Sequence, residues 1–320
     1  MKDKSLLEQL ETLPEQLVFI LGCHRSGTTF LYQSLVESNY FNYISTYDIL
    51  KYDELLYNQQ NNLTATVQSN LEKELSKNGE NREIDHCSIG VQKAEEYGFI
   101  LPKNKEKFLF QPQLIPDNIE KFIEMCQKKN FLYPENKPLL LKNPDDFYNN
   151  YLYIHRSFPQ AKLIFIHRHP LLVLNSQIIA WRKMLNKKND YFARMHSLYD
   201  RLFEDSERLL KLRMLLLSEQ GVSWMLSEFL KSFNYYLNHL SQLEQGSYYV
   251  VRYEDLCKQP EHYFQAVYTF LNLNPPEISY SSMVKPRHVE ILPEVKKVYN
   301  ANAGKFQDYL SHLNYTPLPL

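Results

Sequence analysis

Glycine is scarce in this chain: the 320 residues include only 8 glycines, compared with roughly 7% in an average protein. A residue used so sparingly is expected where the backbone needs its freedom. Gly22 and Gly27 nevertheless stand close together, directly after the apolar run 17–21. The segment GCHRSGTTF, residues 22–30, is therefore predicted to be a functional loop.

Cysteine pairs and metal-ligand spacings are also missing from the sequence. The four cysteines are scattered, without a CxxC pair, which argues against a disulfide framework and is typical of reduced cytosolic thiols. His167 and His169 flank an arginine but have no further ligand at a spacing that suits a metal. Neither histidine is therefore predicted to be a metal ligand.

Long apolar runs and an excess of charge are absent as well. The longest apolar stretches, such as 163–166, are far too short to cross a bilayer, and the charged start MKDKSLLEQLETLPEQ does not resemble a signal peptide. The formal net charge is −1, so nothing favours binding to nucleic acid or to an anionic membrane. These features predict a soluble cytoplasmic protein without a membrane span or a nucleic-acid partner.

What the sequence does contain is four short apolar runs, each followed by a helical pattern. The runs are 17–21, 139–141, 162–168 and 248–252, and the helical patterns are 28–38, 146–158, the segment from Pro170 and 260–273. Uniformly apolar strands that alternate with helices indicate a parallel sheet covered on both faces. We predict an α/β fold: a P-loop-like, three-layer α/β/α arrangement with a central parallel sheet and added helices.

Two stretches fall outside this alternation. Residues 48–82 are rich in Asn, Gln, Glu and Lys and are predicted to form a helical excursion or a flap over the sheet. Residues 181–244 are dense in Leu, Met, Arg and Glu and are predicted to form long helices. Since no repeat or linker divides the chain, we expect residues 1–320 to form one domain with these two stretches as insertions.

The spacing of Gly22 and Gly27 is that of the nucleoside-triphosphate P-loop, GxxxxGK[ST], but Thr28 stands where that motif has lysine. Backbone amides of residues 24–29 can still surround an oxyanion at the N-terminus of the following helix. The cation lies earlier, at Arg25. This displacement argues against a triphosphate hydrolase or kinase and leaves an anion-binding loop.

GCHRSGTTF resembles the 5'-phosphosulfate-binding loop of sulfotransferases that use 3'-phosphoadenosine 5'-phosphosulfate (PAPS). HRHPLLVLNS is similar to the 3'-phosphate motif of that family, in which an arginine ends a strand and a proline and a serine follow; here these are Arg168, Pro170 and Ser176. The blocks LLLKNPDDFYNNYLYIHRSFPQAKLIFIHR and VVRYEDLCKQP are similar to two further family segments and occur in family order. The resemblance implies PAPS as cosubstrate, no metal, and a small-molecule, glycan or peptide acceptor.

The resemblance also implies roles for individual residues. Arg25 would stabilise the leaving oxygen, and Arg168 with Ser176 would give a 3'-phosphate charge-assisted hydrogen bonds. Phe30 and Tyr253 would contact the adenine, although core packing explains both residues equally well. The implied donor-binding residues are His24, Arg25, Ser26, Gly27, Thr28, Thr29, Phe30, Arg168, Ser176 and Tyr253.

The acceptor also needs a base within hydrogen-bonding reach. Asp146 stands where the related block has histidine and is interpreted as a base or as a helix cap. Glu95 and Glu96 are a second possibility; on a helix they would point in different directions, so we expect at most one of them, Glu96, to reach the site. Lys142, at a predicted strand end, would add positive charge near the sulfuryl group.

Two other functions stay open at this point. A P-loop phosphotransferase or NTPase would use VVRYED as a strand that ends in a magnesium-binding acid. A catalytically inactive protein could keep the nucleotide pocket without a base. The acceptor and the oligomeric state are not predictable from these motifs.

Overall fold

The computed structural model of the protein describes residues 2–79, 81–84, 87–102, 111–285 and 289–316. These residues form a parallel sheet of five strands in the order β2-β3-β1-β4-β5. The strands are β1 Leu17–Leu21, β2 Asn42–Tyr43, β3 Leu139–Lys142, β4 Lys162–His167 and β5 Tyr248–Arg252. The predicted parallel sheet is confirmed, and four of its strands occupy the four apolar runs.

Helices cover both faces of this sheet. Those before β4 are α1 Thr28–Val36, α2 Thr46–Leu50, α3 Leu55–Gln60, α4 Thr64–Leu75, α5 Ile119–Leu132 and α6 Tyr151–Ser157. Those between β4 and β5 are α7 Pro170–Asn186, α8 Asp190–Met195, α9 Ser197–Leu202, α10 Ser206–Leu217 and α11 Glu219–His239. After β5 come α12 Tyr253–Lys258, α13 Pro260–Phe270, α14 Pro293–Asn302 and α15 Gln307–His312.

The central strand shows why the apolar runs are continuous. Phe19 packs into a large core with α5, α6, α7 and α11, whereas its neighbours Val18 and Ile20 point to the opposite face, into a smaller core with α1 and α13. Successive side chains of a strand alternate between its two faces. Because both faces are covered, every position of β1 is buried. The predicted three-layer α/β/α fold is confirmed.

Three details of the fold differ from the sequence predictions. Strand β2 was not predicted, because its two residues are too few to show a periodicity. The helix expected over 146–158 is a 3-10 turn, Pro144–Phe147, followed by α6. The long helices expected in 181–244 are interrupted, because Asn189, His196 and Asp205 each accept a hydrogen bond from a backbone amide and start a new helix. Only α11, with 21 residues, has the expected length.

A buried ion pair holds the N-terminal segment on the large core. Lys128 Nζ of α5 lies 2.8 Å from Asp3 Oδ2, and both side chains are fully inaccessible to solvent. Asp3 also accepts hydrogen bonds from the amides of Leu56 and Tyr57 in the first turn of α3. Asp3 thus joins two helices that the sequence alone does not relate. Within the described ranges, no helix combines the length and apolar character needed to cross a membrane.

Candidate active site

The loop between β1 and α1 contains positions where a side chain would be strained or would clash. Gly27 has a φ of +104°, and a Cβ on it would lie 2.2 Å from Cδ2 of Tyr253. A Cβ on Gly22 would lie 2.4 Å from the carbonyl oxygen of Ile166. Arg25 also adopts a positive φ, of 71°, which is uncommon for a residue with a side chain. The two glycines are therefore required by conformation and by close packing.

A Gly27→Ala substitution is expected to destabilise the fold by more than backbone strain alone. Left-handed backbone costs a residue with a Cβ roughly 1–2 kcal/mol, and at position 27 the Tyr253 ring must move as well. Gly246→Ala is the matched control, since Gly246 has a φ of +86° and nothing lies within 4 Å of its Cβ position. Urea denaturation compares the two variants. An equal loss of stability would contradict the role of the Tyr253 contact.

The loop meets the second predicted motif at the carboxyl edge of the sheet. Leu21 of β1 pairs with Phe165 of β4, so the segments that follow leave the sheet side by side. Arg168 Nη1 donates to the carbonyl oxygen of Arg25 at 3.2 Å. Ser176 Oγ, on α7, accepts from Nε of Arg25, also at 3.2 Å. The structure thus brings together the three residues proposed for the two ends of the donor.

A cavity of about 560 Å³ opens at this edge. The predicted site residues that line it are His24, Arg25, Gly27, Thr28, Thr29, Phe30, Glu96, Arg168 and Tyr253. Four predicted residues are not part of this lining: Ser26, Lys142, Asp146 and Ser176. Residues that sequence reasoning did not single out complete the wall, among them Arg82, Phe99, Gln177, Trp181, Met184, Phe192 and His196.

Phe30 and Tyr253 lie between the cavity and the smaller core, so core packing and contact with a ligand are compatible at both positions. Their rings line the cavity and meet edge to face with 6.2 Å between centroids. Both rings also pack against the smaller core, where Phe30 meets Phe264. The guanidinium carbon of Arg168 lies 5.0 Å from the centroid of the Tyr253 ring, within cation–π range.

Two of the predicted site residues, Ser26 and Arg168, each have a buried polar atom without a partner among the described residues. Ser26 Oγ and Arg168 Nε make no hydrogen bond to any residue that the structure describes. Leaving a buried donor unsatisfied costs about 1–3 kcal/mol, so such atoms are expected where a ligand supplies the missing acceptor. One of these atoms lies in the loop and the other in the second motif.

The two adjacent glutamates do not behave as expected, because their segment is not helical. Glu96 has extended backbone, with φ −75° and ψ 126°, and both Glu95 and Glu96 line the cavity. The expectation that at most one glutamate reaches the site is therefore wrong. Glu95 Oε1 accepts hydrogen bonds from Arg82 Nη1 at 2.7 Å and from the Tyr191 hydroxyl at 2.6 Å. Burial raises the pKa of Glu95, although Arg82 opposes this shift.

Lys142 connects Glu96 to the loop. Its Nζ lies 2.9 Å from Glu96 Oε1 and donates to Thr29 Oγ1 at 3.1 Å, with the lysine side chain almost fully buried. Burial favours the neutral form of Glu96, but the Lys142 ammonium and then His24 outweigh it and lower the pKa of Glu96. Glu96 is therefore an ionised, paired carboxylate, and Lys142 acts on the site through Thr29 and Glu96.

Asp146 is not at the cavity, which corrects its assignment as a candidate base. Its carboxylate is completely buried and accepts hydrogen bonds from Tyr97 Oη, Leu114 N, Asn143 Nδ2 and Asn150 Nδ2. Burial raises the pKa of Asp146 to about 6, against the effect of these donors. The helix-cap interpretation does not hold either, since α6 begins only at Tyr151. Asp146 instead joins the 3-10 turn to the segment around Leu114.

The neighbouring aspartate is the one that reaches the loop. Asp145 Oδ2 lies 3.1 Å from His24 Nε2 and also accepts from the amide of Gln111. Gln177 Nε2 donates to the carbonyl oxygen of His24 at 2.6 Å. Asp145 was not predicted from the sequence, because Asp146 is the residue that stands where the related family block has histidine. The two adjacent aspartates of KNPDD were the feature that could have indicated it.

The two histidines that flank Arg168 have structural roles. His167 Nδ1 is hydrogen-bonded to the Tyr309 hydroxyl at 2.6 Å, and burial lowers the pKa of His167 to about 3. His169 Nδ1 accepts from the amide of Leu171 at the start of α7, and burial lowers the pKa of His169 to about 4. Both rings are therefore neutral at physiological pH.

Comparisons with known proteins agree with this geometry. The model of the Sulfotransferase family matches residues 17–277. The sulfotransferase STF9 from Mycobacterium avium is 15% identical, with a TM-score of 0.61 over 98% of this chain and 81% of its own. The sulfotransferase STF1 from Mycobacterium tuberculosis H37Rv is 13% identical, with a TM-score of 0.56 over 95% of this chain and 80% of its own. No curated protein sequence matches this chain.

At these identities the two structures establish a shared fold and no more, whereas the family match spans most of the chain, from β1 past α13. It includes both the loop and the second motif. The chain therefore belongs to the sulfotransferase family.

Proposed function

We propose that this protein transfers a sulfuryl group from PAPS to a hydroxyl or amine of an acceptor. The observation that carries the proposal is the cluster of Arg25, Arg168 and Ser176, which joins two motifs 143 positions apart through hydrogen bonds of 3.2 Å. A donor with phosphate groups at both ends needs two anion sites at one edge of the sheet, and this cluster supplies them.

The 5' end of the donor fits the loop. The amides of Gly27, Thr28 and Thr29 precede or begin α1, where the helix dipole and the first amides of a helix favour an anion. The amide of Ser26 already donates to the carbonyl oxygen of Cys23 at 3.0 Å, so Ser26 contributes its hydroxyl instead. Ser26 Oγ, buried without a partner among the described residues, has a hydrogen to donate. The absent side chain of Gly27 leaves room for the Tyr253 ring beside the loop.

The 3' end fits the second motif. Arg168 Nε is buried and unsatisfied within the described residues, and a phosphate oxygen would complete it. Ser176 Oγ accepts from Arg25 Nε. A hydroxyl can accept and donate at once, so Ser176 can still give its hydrogen to a phosphate. A nucleotide without the 3'-phosphate would leave both donors unused.

Arg25 is proposed to act on the reaction itself. The bound donor supplies an electrophilic sulfur and a phosphate leaving group, and charge builds on the leaving oxygen during in-line transfer. The Arg25 side chain is held by Ser176 and by the carbonyl oxygen of Ile84, to which Nη2 donates at 3.3 Å. A fixed guanidinium, charged at any working pH, stabilises that oxygen without reorganising.

The acceptor is proposed to enter against an apolar wall. Trp181, Met184 and Phe192 line the cavity from the stretch 181–244, and Arg82 lines it from the end of the stretch 48–82. We therefore propose that these insertions shape the acceptor side of one sulfotransferase domain. The donor is proposed to fill part of the same cavity of about 560 Å³, so the remaining room suits a small aromatic or apolar acceptor, or the tip of a larger glycan or peptide.

A thermal-shift series tests donor recognition. At equal concentration, 3',5'-ADP is expected to raise the melting temperature clearly more than 5'-AMP, because only 3',5'-ADP has the phosphate that reaches Arg168 and Ser176. Each charge-assisted hydrogen bond is worth about 1.5–3 kcal/mol, so titration calorimetry is expected to give at least about tenfold weaker binding of 5'-AMP. Arg168→Gln is expected to remove most of this difference.

The matched control is Arg201→Gln, an exposed arginine of α9, which is expected to keep the preference for 3',5'-ADP. Equal binding of the two nucleotides by the unaltered protein would overturn the proposal. A magnesium requirement for nucleotide binding would instead favour a P-loop phosphotransferase. Incubation with ³⁵S-labelled PAPS then separates an enzyme from a binding protein by whether label leaves the donor.

A further inference from the structure

His24, which lines the cavity, forms a hydrogen-bonded pair with Asp145. We infer that His24, oriented by Asp145, is the general base that removes the proton from the acceptor, an inference that rests on the proposed sulfuryl transfer. His24 was expected only to bind the donor. Its position directly before Arg25 in the loop places a titratable group next to the residue proposed to stabilise the leaving oxygen.

The contact with Asp145 determines the form of the ring. His24 Nε2 lies 3.1 Å from Asp145 Oδ2, and an ionised carboxylate can only accept, so Nε2 carries the hydrogen. In the neutral ring Nδ1 is then the nitrogen with a free lone pair. No residue that the structure describes donates a hydrogen bond to Nδ1. The ring lines the cavity, and 28% of its side chain is exposed, so an acceptor can reach it.

The charges around His24 favour a proton-accepting ring. Burial alone would lower the pKa of His24, but the Asp145 carboxylate, and then Glu96, outweigh burial and the opposing Lys142, so that the pKa is raised above 6.5. The nearby Tyr148 ring, 6.4 Å away between centroids, stays neutral because burial raises its pKa well above 10. A base is most effective when its pKa lies near the working pH.

Three other titratable groups of the cavity wall are already engaged by neighbouring side chains or amides. Glu96 is paired with Lys142, and Glu95 accepts from both Arg82 and Tyr191. His196 also lines the cavity, but its Nδ1 accepts from the amide of Tyr199 as the cap of α9. In His24, by contrast, Nε2 is hydrogen-bonded to the Asp145 carboxylate, and Nδ1 remains for an acceptor in the cavity.

The proposed step is balanced. As the acceptor oxygen or nitrogen forms its bond to sulfur, its proton passes to Nδ1 of His24. The bond between sulfur and the 5'-phosphate oxygen breaks, and its electron pair stays on the phosphate beside Arg25. Asp145 stabilises the imidazolium, which later releases the proton to water. The products are the sulfated acceptor and 3',5'-ADP.

Substitution of His24 tests this role through the acidity of the acceptor. With ³⁵S-labelled PAPS and benzyl alcohol or water as acceptor, His24→Ala and His24→Gln are expected to lower turnover about 100- to 10,000-fold, the usual share of a general base. With p-nitrophenol, which ionises near neutral pH without help, the loss is expected to be at least tenfold smaller. Added imidazole is expected to restore part of the His24→Ala rate.

The pH profile of Asp145→Asn tests the orienting partner. His24 must be unprotonated to act, so the rate rises with pH through its pKa, which the carboxylates hold above 6.5. Asparagine removes the first of these charges and does not fix the tautomer. The acidic limb of the rate profile is therefore expected to move to lower pH, and the maximal rate is expected to fall. A purely structural role would leave the position of the limb unchanged.

The controls separate failure of this inference from failure of the proposed function. His262→Gln, an exposed histidine of α13, is expected to keep the full rate, and calorimetry with 3',5'-ADP shows whether each variant is folded. His24 variants that bind 3',5'-ADP and lose equal activity with both acceptors, without imidazole rescue, would overturn the inference alone. An unaltered protein that moves no label to water, benzyl alcohol or p-nitrophenol would contradict the proposed function as well.

Discussion

An Arg25→Ala protein is expected to transfer sulfuryl groups about 100- to 1,000-fold more slowly than the unaltered protein, since this is the usual effect of removing one donor from an oxyanion site. The side chain is held by Ser176 Oγ and by the carbonyl oxygen of Ile84, so its charge is already in place when the leaving oxygen develops. Single-turnover rates with ³⁵S-labelled PAPS measure the effect. Alanine keeps the uncommon φ of +71° at this position, so backbone strain is the same in both proteins.

Arg25→Lys is the matched variant. It keeps a positive charge but lacks the planar fork that reaches both holding groups, so its rate is expected to lie between those of the alanine variant and the unaltered protein. Binding of 3',5'-ADP is expected to change much less than the rate, because charge on the leaving oxygen is greatest in the transition state. An alanine variant with an undiminished single-turnover rate would remove Arg25 from the mechanism.

An Asp3→Ala protein is expected to lose about 3–5 kcal/mol of unfolding free energy, the usual result of removing one member of a buried ion pair. The substitution removes the nearest carboxylate of the Lys128 ammonium, which is fully inaccessible to solvent, and leaves Glu124 Oε1 at the longer distance of 3.4 Å. Tyr52 still accepts from Lys128 Nζ at 2.8 Å, but a carbonyl oxygen carries no full charge. The amides of Leu56 and Tyr57 lose an acceptor as well. Urea denaturation measures the loss.

Two further variants make this test specific. Lys2→Ala removes the neighbouring exposed pair with Glu54, and exposed pairs contribute little, so no measurable change is expected. The double variant Asp3→Asn with Lys128→Met removes both charges and keeps one acceptor for α3. It is expected to recover part of the lost stability. If Asp3→Ala were no more harmful than Lys2→Ala, the buried pair would not hold the N-terminal segment.

Much of the fold could be predicted, because its strands and helices are determined by residues close together in the chain. Each of the four apolar runs became a strand, since a parallel sheet between two helical layers requires apolar side chains on both faces. The start of α7 at Pro170 also agreed, because proline favours the first turn of a helix. The breaks at Asn189, His196 and Asp205 were missed, because these residues cap helices through side-chain hydrogen bonds that the composition of the stretch does not reveal.

Some residues of the site were predicted correctly from the sequence and others were not. Residues of the loop and Arg168 reached the cavity, since a short motif determines its own backbone and the strand ends determine its neighbours. Asp146 was named as a candidate and Asp145 was not, because the turn that sends these adjacent side chains in different directions was expected to be part of a helix. The placement of both Glu95 and Glu96 on the cavity wall was also missed, because their segment was expected to be helical and is in fact extended.

The sequence by itself determined the order of strands and helices along the chain, the anion-binding character of the loop and the family, because these depend on residues close together in the chain. Only the tertiary structure decided which distant groups meet: Arg168 with the carbonyl oxygen of Arg25, His24 with Asp145, and Lys128 with Asp3. Such contacts depend on how strands are ordered in the sheet and how side chains leave their turns. Neither property is encoded in the spacing of a motif, and both determine the chemistry available to this site.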